Sequence, residues 1–211
     1  MPKLSSTQKL VRAGMLAALI MVLSLTPLGY IRLTSVLEIT LMVIPVALGG
    51  LAVGWPVGTV LGLVFGVSSF IRAFTDPIGI IMIEMNLVLA GLACILPRVV
   101  VGLIADLFNK ALVARAKLRR VWFYSVAGFV CSMCNTVLFL GFVWLAFDSA
   151  VTGFTLAVIL GVVGTNGIVE MIANAVLVGI LARVVIPSPG PGEPPPDDPL
   201  VKNEDPWEEI R

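Results

Sequence analysis

Glu170 stands between Asn166 and Asn174, four residues from each, in the stretch Gly161–Val178, GVVGTNGIVEMIANAVLV. On a helix that spacing makes one polar stripe. The surrounding run is apolar and long enough to cross a bilayer. Lipid cannot solvate a carboxylate and two amides, so the stripe must face protein or a cavity. A second seam repeats every fourth residue through Asn86, Ala90, Cys94, Arg98, Gly102 and Asp106. A third follows Ser125, Gly128, Ser132 and Asn135. Arg98 lies far from either end of its run, directly after Pro97, and its guanidinium must be paired or hydrated there. Two readings fit Arg98 and Glu170. They are a buried structural ion pair, or they line a binding site. In the site, Arg98 offers a planar fork to a ligand carboxylate and Glu170 accepts from ligand hydroxyl or amide groups.

Other chemistries are absent from the sequence. The 211 residues contain no His, which excludes His-based metal sites and His-dependent triads. Cys131 and Cys134 form a C-x-x-C inside an apolar run, without a second ligand pair, and read as small core residues beside Cys94. No P-loop motif occurs, so ATP-driven action requires a partner subunit. No cofactor is implied. There is no nucleophile with an adjacent base, and an intramembrane enzyme is disfavoured. At 58% hydrophobic residues and a mean hydropathy of +1.04, the chain reads as an integral membrane protein. The net charge of +1 hides an asymmetry: beyond Pro187 stand seven acids and two bases, and before it six acids and twelve bases.

These seams need helices to position them. The sequence predicts an all-α integral membrane fold with six transmembrane helices at about 10–26, 38–51, 57–74, 82–108, 121–147 and 154–186. Residues 1–9 are a polar N-terminus, 10–186 the transmembrane domain, and 187–211 an acidic tail. Eight of those last 25 residues are Pro, a composition that predicts disorder. Residues 27–37 read as an irregular loop. Pro97 predicts a kink. Gly58, Gly62 and Gly66 form a flat face for close helix packing, and Ala13 and Ala17 a smaller one. The basic cluster at 109–120, the N-terminal bases and Arg183 fall on one side of the membrane, which the positive-inside rule makes cytoplasmic together with both termini. Membrane flanks account for that cluster, so nucleic acid is not a partner. At about 1.5 Å per residue, Arg98, Asn135, Asn166 and Glu170 fall at compatible depths.

The order of several stretches resembles the substrate-binding (S) components of energy-coupling factor (ECF) vitamin transporters, most nearly the pantothenate type. The stretches are Ala13–Ala17, Ile44–Phe74, LPRVVVG at 96–102, Asn135–Thr136 and GTNGIVE at 164–170. Val43 stands where the family pattern has His. The resemblance implies a cell-membrane protein that captures a vitamin in an outward-opening pocket capped by loops. It implies partners: a transmembrane coupling subunit docked on the Ala13–Ala17 face, and two ATPase subunits. It makes Arg98 and Asn135 ligand residues. Asn166, Glu170 and Asn86 complete the candidate set, and pantothenate, with one carboxylate, two hydroxyls and an amide, suits it. The alternatives are an S component for another small metabolite, or a stand-alone secondary transporter using Glu170 as a proton carrier.

Overall fold

The computed structural model describes residues 6–26, 29–32, 38–114, 120–147, 161 and 167–186. Among these, seven helices and one hairpin appear: α1 (Ser6–Leu25), β1 (Tyr30–Arg32), β2 (Glu38–Thr40), α2 (Val43–Val53), α3 (Trp55–Ala73), α4 (Pro77–Met85), α5 (Leu87–Ala114), α6 (Arg120–Ala146) and α7 (Ile168–Val185). Five of them, α1, α3, α5, α6 and α7, are long and apolar enough to cross a membrane. Their outward surfaces carry large apolar side chains such as Met15, Leu25, Val88, Leu145 and Val184. A coat of that kind is an aggregation hazard in water and is solvated by lipid.

The breaks between helices have local causes. Gly54 ends α2 with φ +110°, a conformation that side chains with a Cβ rarely adopt. Pro then sits in the first turn of α3, where its missing N–H costs nothing. The Asp76 carboxylate accepts from Gly79 N at 3.4 Å and starts α4. α2 has only 11 residues and is buried along almost its whole length. The main core takes Ile20, Val46, Leu61, Val101, Ala127 and Val178 from six different helices. A second core joins Met82, Ala90, Ala93, Leu140 and Val143 of α4, α5 and α6.

The tightest seam joins α3 to α5. A methyl group at Gly58 would lie 2.7 Å from the Gly102 carbonyl oxygen, and one at Gly66 would lie 2.8 Å from Ile95 Cα. Backbone therefore meets backbone, as the glycine spacing predicts.

Three expectations need correction. Glu38–Thr40 is a strand paired antiparallel with Tyr30–Arg32, Tyr30 opposite Thr40, so the second helix starts only at Val43 and the preceding segment is not wholly irregular. The fourth predicted helix is two, because Asn86 adopts an extended conformation (φ −163°, ψ 107°) between α4 and α5. α5 stays helical through Pro97 to Ala114, longer than predicted. Most of the first half of the predicted sixth helix, and the tail at 187–211, lie outside the described residues.

Candidate functional site

A cavity of about 240 Å³ opens between the hairpin and α3, α4, α5, α6 and α7. Its polar lining includes Tyr30 and Thr40 of the hairpin, Arg72 of α3, Arg98 of α5, Asn135 of α6 and Glu170 of α7. Apolar walls come from Met82, Ala90, Phe139 and Leu140. A larger cleft of about 680 Å³ runs between α1 and α3, bounded by Leu25, Leu63, Val67 and Ile71. Among the described residues, the cleft meets charged groups only at Arg72 and Asp76, which it shares with the smaller cavity. Size favours the cleft, but the convergence of buried polar groups favours the cavity as the site.

Arg98 is 7% exposed, and its placement follows from its neighbour in sequence. Pro97 has no N–H, so the carbonyl four residues earlier, that of Ala93, loses its helical donor. Arg98 Nη1 donates to that carbonyl at 3.0 Å. The proline thus frees an acceptor and the next side chain takes it, which fixes the guanidinium beside the helix. The guanidinium carbon lies 4.7 Å from the Phe139 ring centroid and 5.3 Å from that of Phe65. Both distances fall within cation–π range. Arg98 Nε is buried and has no hydrogen-bond partner among the described residues. The same holds for Asn135 Oδ1. Buried polar atoms of this kind cost about 1–3 kcal/mol each until something satisfies them. An acceptor and a donor from a small molecule in the cavity would do so. Glu170, 5% exposed, lines the same space.

The structure therefore brings Arg98, Asn135 and Glu170 to one cavity. It places Asn86 elsewhere: exposed, with Oδ1 accepting from Val88 N at 3.0 Å and Leu89 N at 3.1 Å. That is an N-cap for α5, and the amide oxygen is used by backbone. Asn166 lies outside the described residues. Asn174, fully buried, does not line the cavity; its Nδ2 donates to Ser132 Oγ at 3.0 Å and to the Thr40 carbonyl at 3.4 Å. Asp106, at the end of the α5 seam far from Asn86, pairs with Lys110 at 2.7 Å. Ala13 and Ala17 are half-buried on α1, Ala17 against the main core.

A family model described as "ECF transporter, substrate-specific component" matches residues 8–182. The chain belongs to this family. A relative, "Pantothenic acid transporter PanT" of Lactococcus lactis subsp. cremoris (strain MG1363), is 32% identical over 149 residues, covering 65% of this chain and 72% of the relative. The protein is thus a multi-pass cell-membrane subunit of a transporter, and the family is not one of enzymes. For this S component, the polar cavity residues that spacing did not single out include Tyr30, Thr40, Ser69, Arg72 and Asp76. Tyr30 and Thr40 sit on three-residue strands too short to show alternation. Arg72 and Asp76 look like ordinary charges at the end of a membrane helix.

Proposed function

We propose that this S component captures pantothenate in the cavity between Arg98, Asn135 and Glu170 and delivers it to an ECF module. The observation that carries the reading is the buried guanidinium with an unused Nε, facing a small cavity with apolar walls. A carboxylate there makes charge-assisted hydrogen bonds, the stronger kind. Asn135 and Glu170 suit the ligand's hydroxyls and amide. At about 240 Å³ the space lies just below the roughly 300–1,000 Å³ of drug-sized sites, which suits a small metabolite. The name of the 32% identical relative supports the same ligand. In this reading α2 serves as a short sixth span, both termini are cytoplasmic, and 187–211 is a disordered tail. ATP is hydrolysed by two partner subunits, and the transmembrane coupling subunit docks on the Ala13–Ala17 face of α1.

Equilibrium dialysis of the purified chain with labelled pantothenate tests the reading. One molecule should bind per chain without ATP, and other water-soluble vitamins should compete poorly. Failure to bind, or preference for a vitamin with no acid group, contradicts it. Ala13→Leu should leave binding intact and abolish uptake in cells that hold the coupling module. Proton-driven uptake by proteoliposomes containing this chain alone would favour the secondary-transporter reading, whose motive is Glu170.

Pro97 gives a sharper expectation. Pro97→Ala restores an N–H that competes for the Ala93 carbonyl, so Arg98 loses its anchor. Pantothenate affinity should fall about tenfold, the equivalent of one hydrogen bond to a charged group. Thermal stability should hold or rise, because a helix-interior proline is removed. Titration calorimetry and a melting curve on the same sample check both halves.

A further inference from the structure

Among the described residues, two contacts tie the hairpin to the helices around the cavity, and the two differ. At Thr40 the tie is internal: the strand's carbonyl accepts from Asn174 Nδ2, which also reaches Ser132 on α6, and Asn174 is fully buried. At Tyr30, directly opposite Thr40 in the strand pairing, the Arg72 guanidinium carbon lies 3.7 Å above the ring centroid. Arg72 is half-exposed at the last turn of α3, and it borders both the cavity and the lateral cleft. A buried tie to two elements makes a hinge. A half-exposed stacking contact between a cation and a ring makes a fastening that can release.

We infer that the Arg72–Tyr30 stack is the latch on the outer mouth of the cavity, and that Arg72 is a positioning residue which sets how long a bound ligand stays. This goes beyond the proposed capture function and rests on it only for the ligand readout. The inner residues, Arg98 and Asn135, set the strength of binding. The latch controls passage in both directions, so its loss speeds release more than it weakens the contacts made inside. The planar guanidinium matters because it stacks on the ring, whereas an ammonium is a more strongly hydrated point charge.

The test uses the full chain in lipid nanodiscs and two readouts. The first is the release rate of labelled pantothenate after a chase. Arg72→Gln and Tyr30→Leu should each speed release about tenfold, and Tyr30→Phe, which keeps the ring, should stay close to the parent. The double variant Arg72→Gln/Tyr30→Leu should release no faster than either single one, since both remove the same contact. The second readout needs no ligand. Cys94 lines the cavity and is buried, so its alkylation by a membrane-impermeant reagent, followed at the Cys94 peptide by mass spectrometry, reports opening of the mouth. The two latch variants should accelerate it about tenfold, and Arg72→Lys by less. Multiplicative effects in the double variant, a Tyr30→Phe as fast as Tyr30→Leu, or unchanged Cys94 labelling each overturn the latch. If no pantothenate binds but Cys94 labelling accelerates as stated, the latch stands and the ligand assignment fails.

Discussion

Arg98→Ala should weaken pantothenate binding about a hundred- to a thousandfold, while Arg183→Ala, on the exposed end of α7, should change it by no more than about twofold. The magnitude follows from what the fork supplies. Each hydrogen bond between charged partners contributes about 1.5–3 kcal/mol, and a bidentate acid loses two of them. At 1.4 kcal/mol per decade, a loss of about 3–4 kcal/mol is two to three decades in Kd. The ligand acid then loses the buried counter-charge that Arg98 supplies, which adds to the deficit. The empty variant should remain folded. Removing a buried cation also removes its desolvation cost, and Arg98 Nη1 donates to a carbonyl of its own helix rather than tying two elements together. Arg98→Lys should fall between the two, because an ammonium cannot present two parallel N–H groups. Titration calorimetry on the three variants checks the ranking.

Gly62→Leu should be the most damaging substitution for the fold. A Cβ at Gly62 would run into the backbone carbonyl of Arg98, and no flexible side chain is there to yield. The α3–α5 seam must open by an atom's width or more. Overpacking of a close-packed interior costs about 1–3 kcal/mol for added methylenes, and a whole isobutyl group against backbone lies at or beyond the top of that range. For a chain of this size that is a melting temperature lower by about 10 °C, or no monodisperse protein at all. Gly14→Leu and Gly141→Leu are the matched controls. Nothing lies within 4 Å of a Cβ at either position, so both should melt within about 2 °C of the parent. Fluorescence-detected size exclusion after a temperature ramp separates these outcomes. The residue at the clash is Arg98 itself, so any Gly62→Leu protein that survives should also bind poorly.

The α5 seam shows where the sequence was readable and where it was not. Every fourth residue from Ala90 to Arg98 does line the cavity, because a membrane helix has only one face on which polar groups can be satisfied. The same period extended toward the start of the helix meets Asn86, where the helix has ended and the amide caps it. Extended the other way it meets Gly102, where backbones touch, and Asp106, which pairs with Lys110. Periodicity gives direction on a helix and says nothing about depth, so one seam held a cap, a site, a packing contact and an ion pair. The α7 stripe behaves alike: Glu170 reaches the cavity, and Asn174, one turn on, secures the hairpin. The hairpin itself was hidden. Its strands have three residues each, and the arginine that stacks on Tyr30 and the asparagine that holds Thr40 come from distant parts of the chain. Contacts of that kind depend on tertiary placement, which spacing within one segment does not encode.

The central claim is that a ligand carboxylate meets the Arg98 guanidinium, and one cycle measures it. Pantothenate and its analogue with a primary alcohol in place of the acid would be titrated into the parent protein and into Arg98→Ala. The account predicts that the parent prefers the acid by about a hundredfold and that Arg98→Ala has no such preference. An acid preference that survives intact in Arg98→Ala would contradict it.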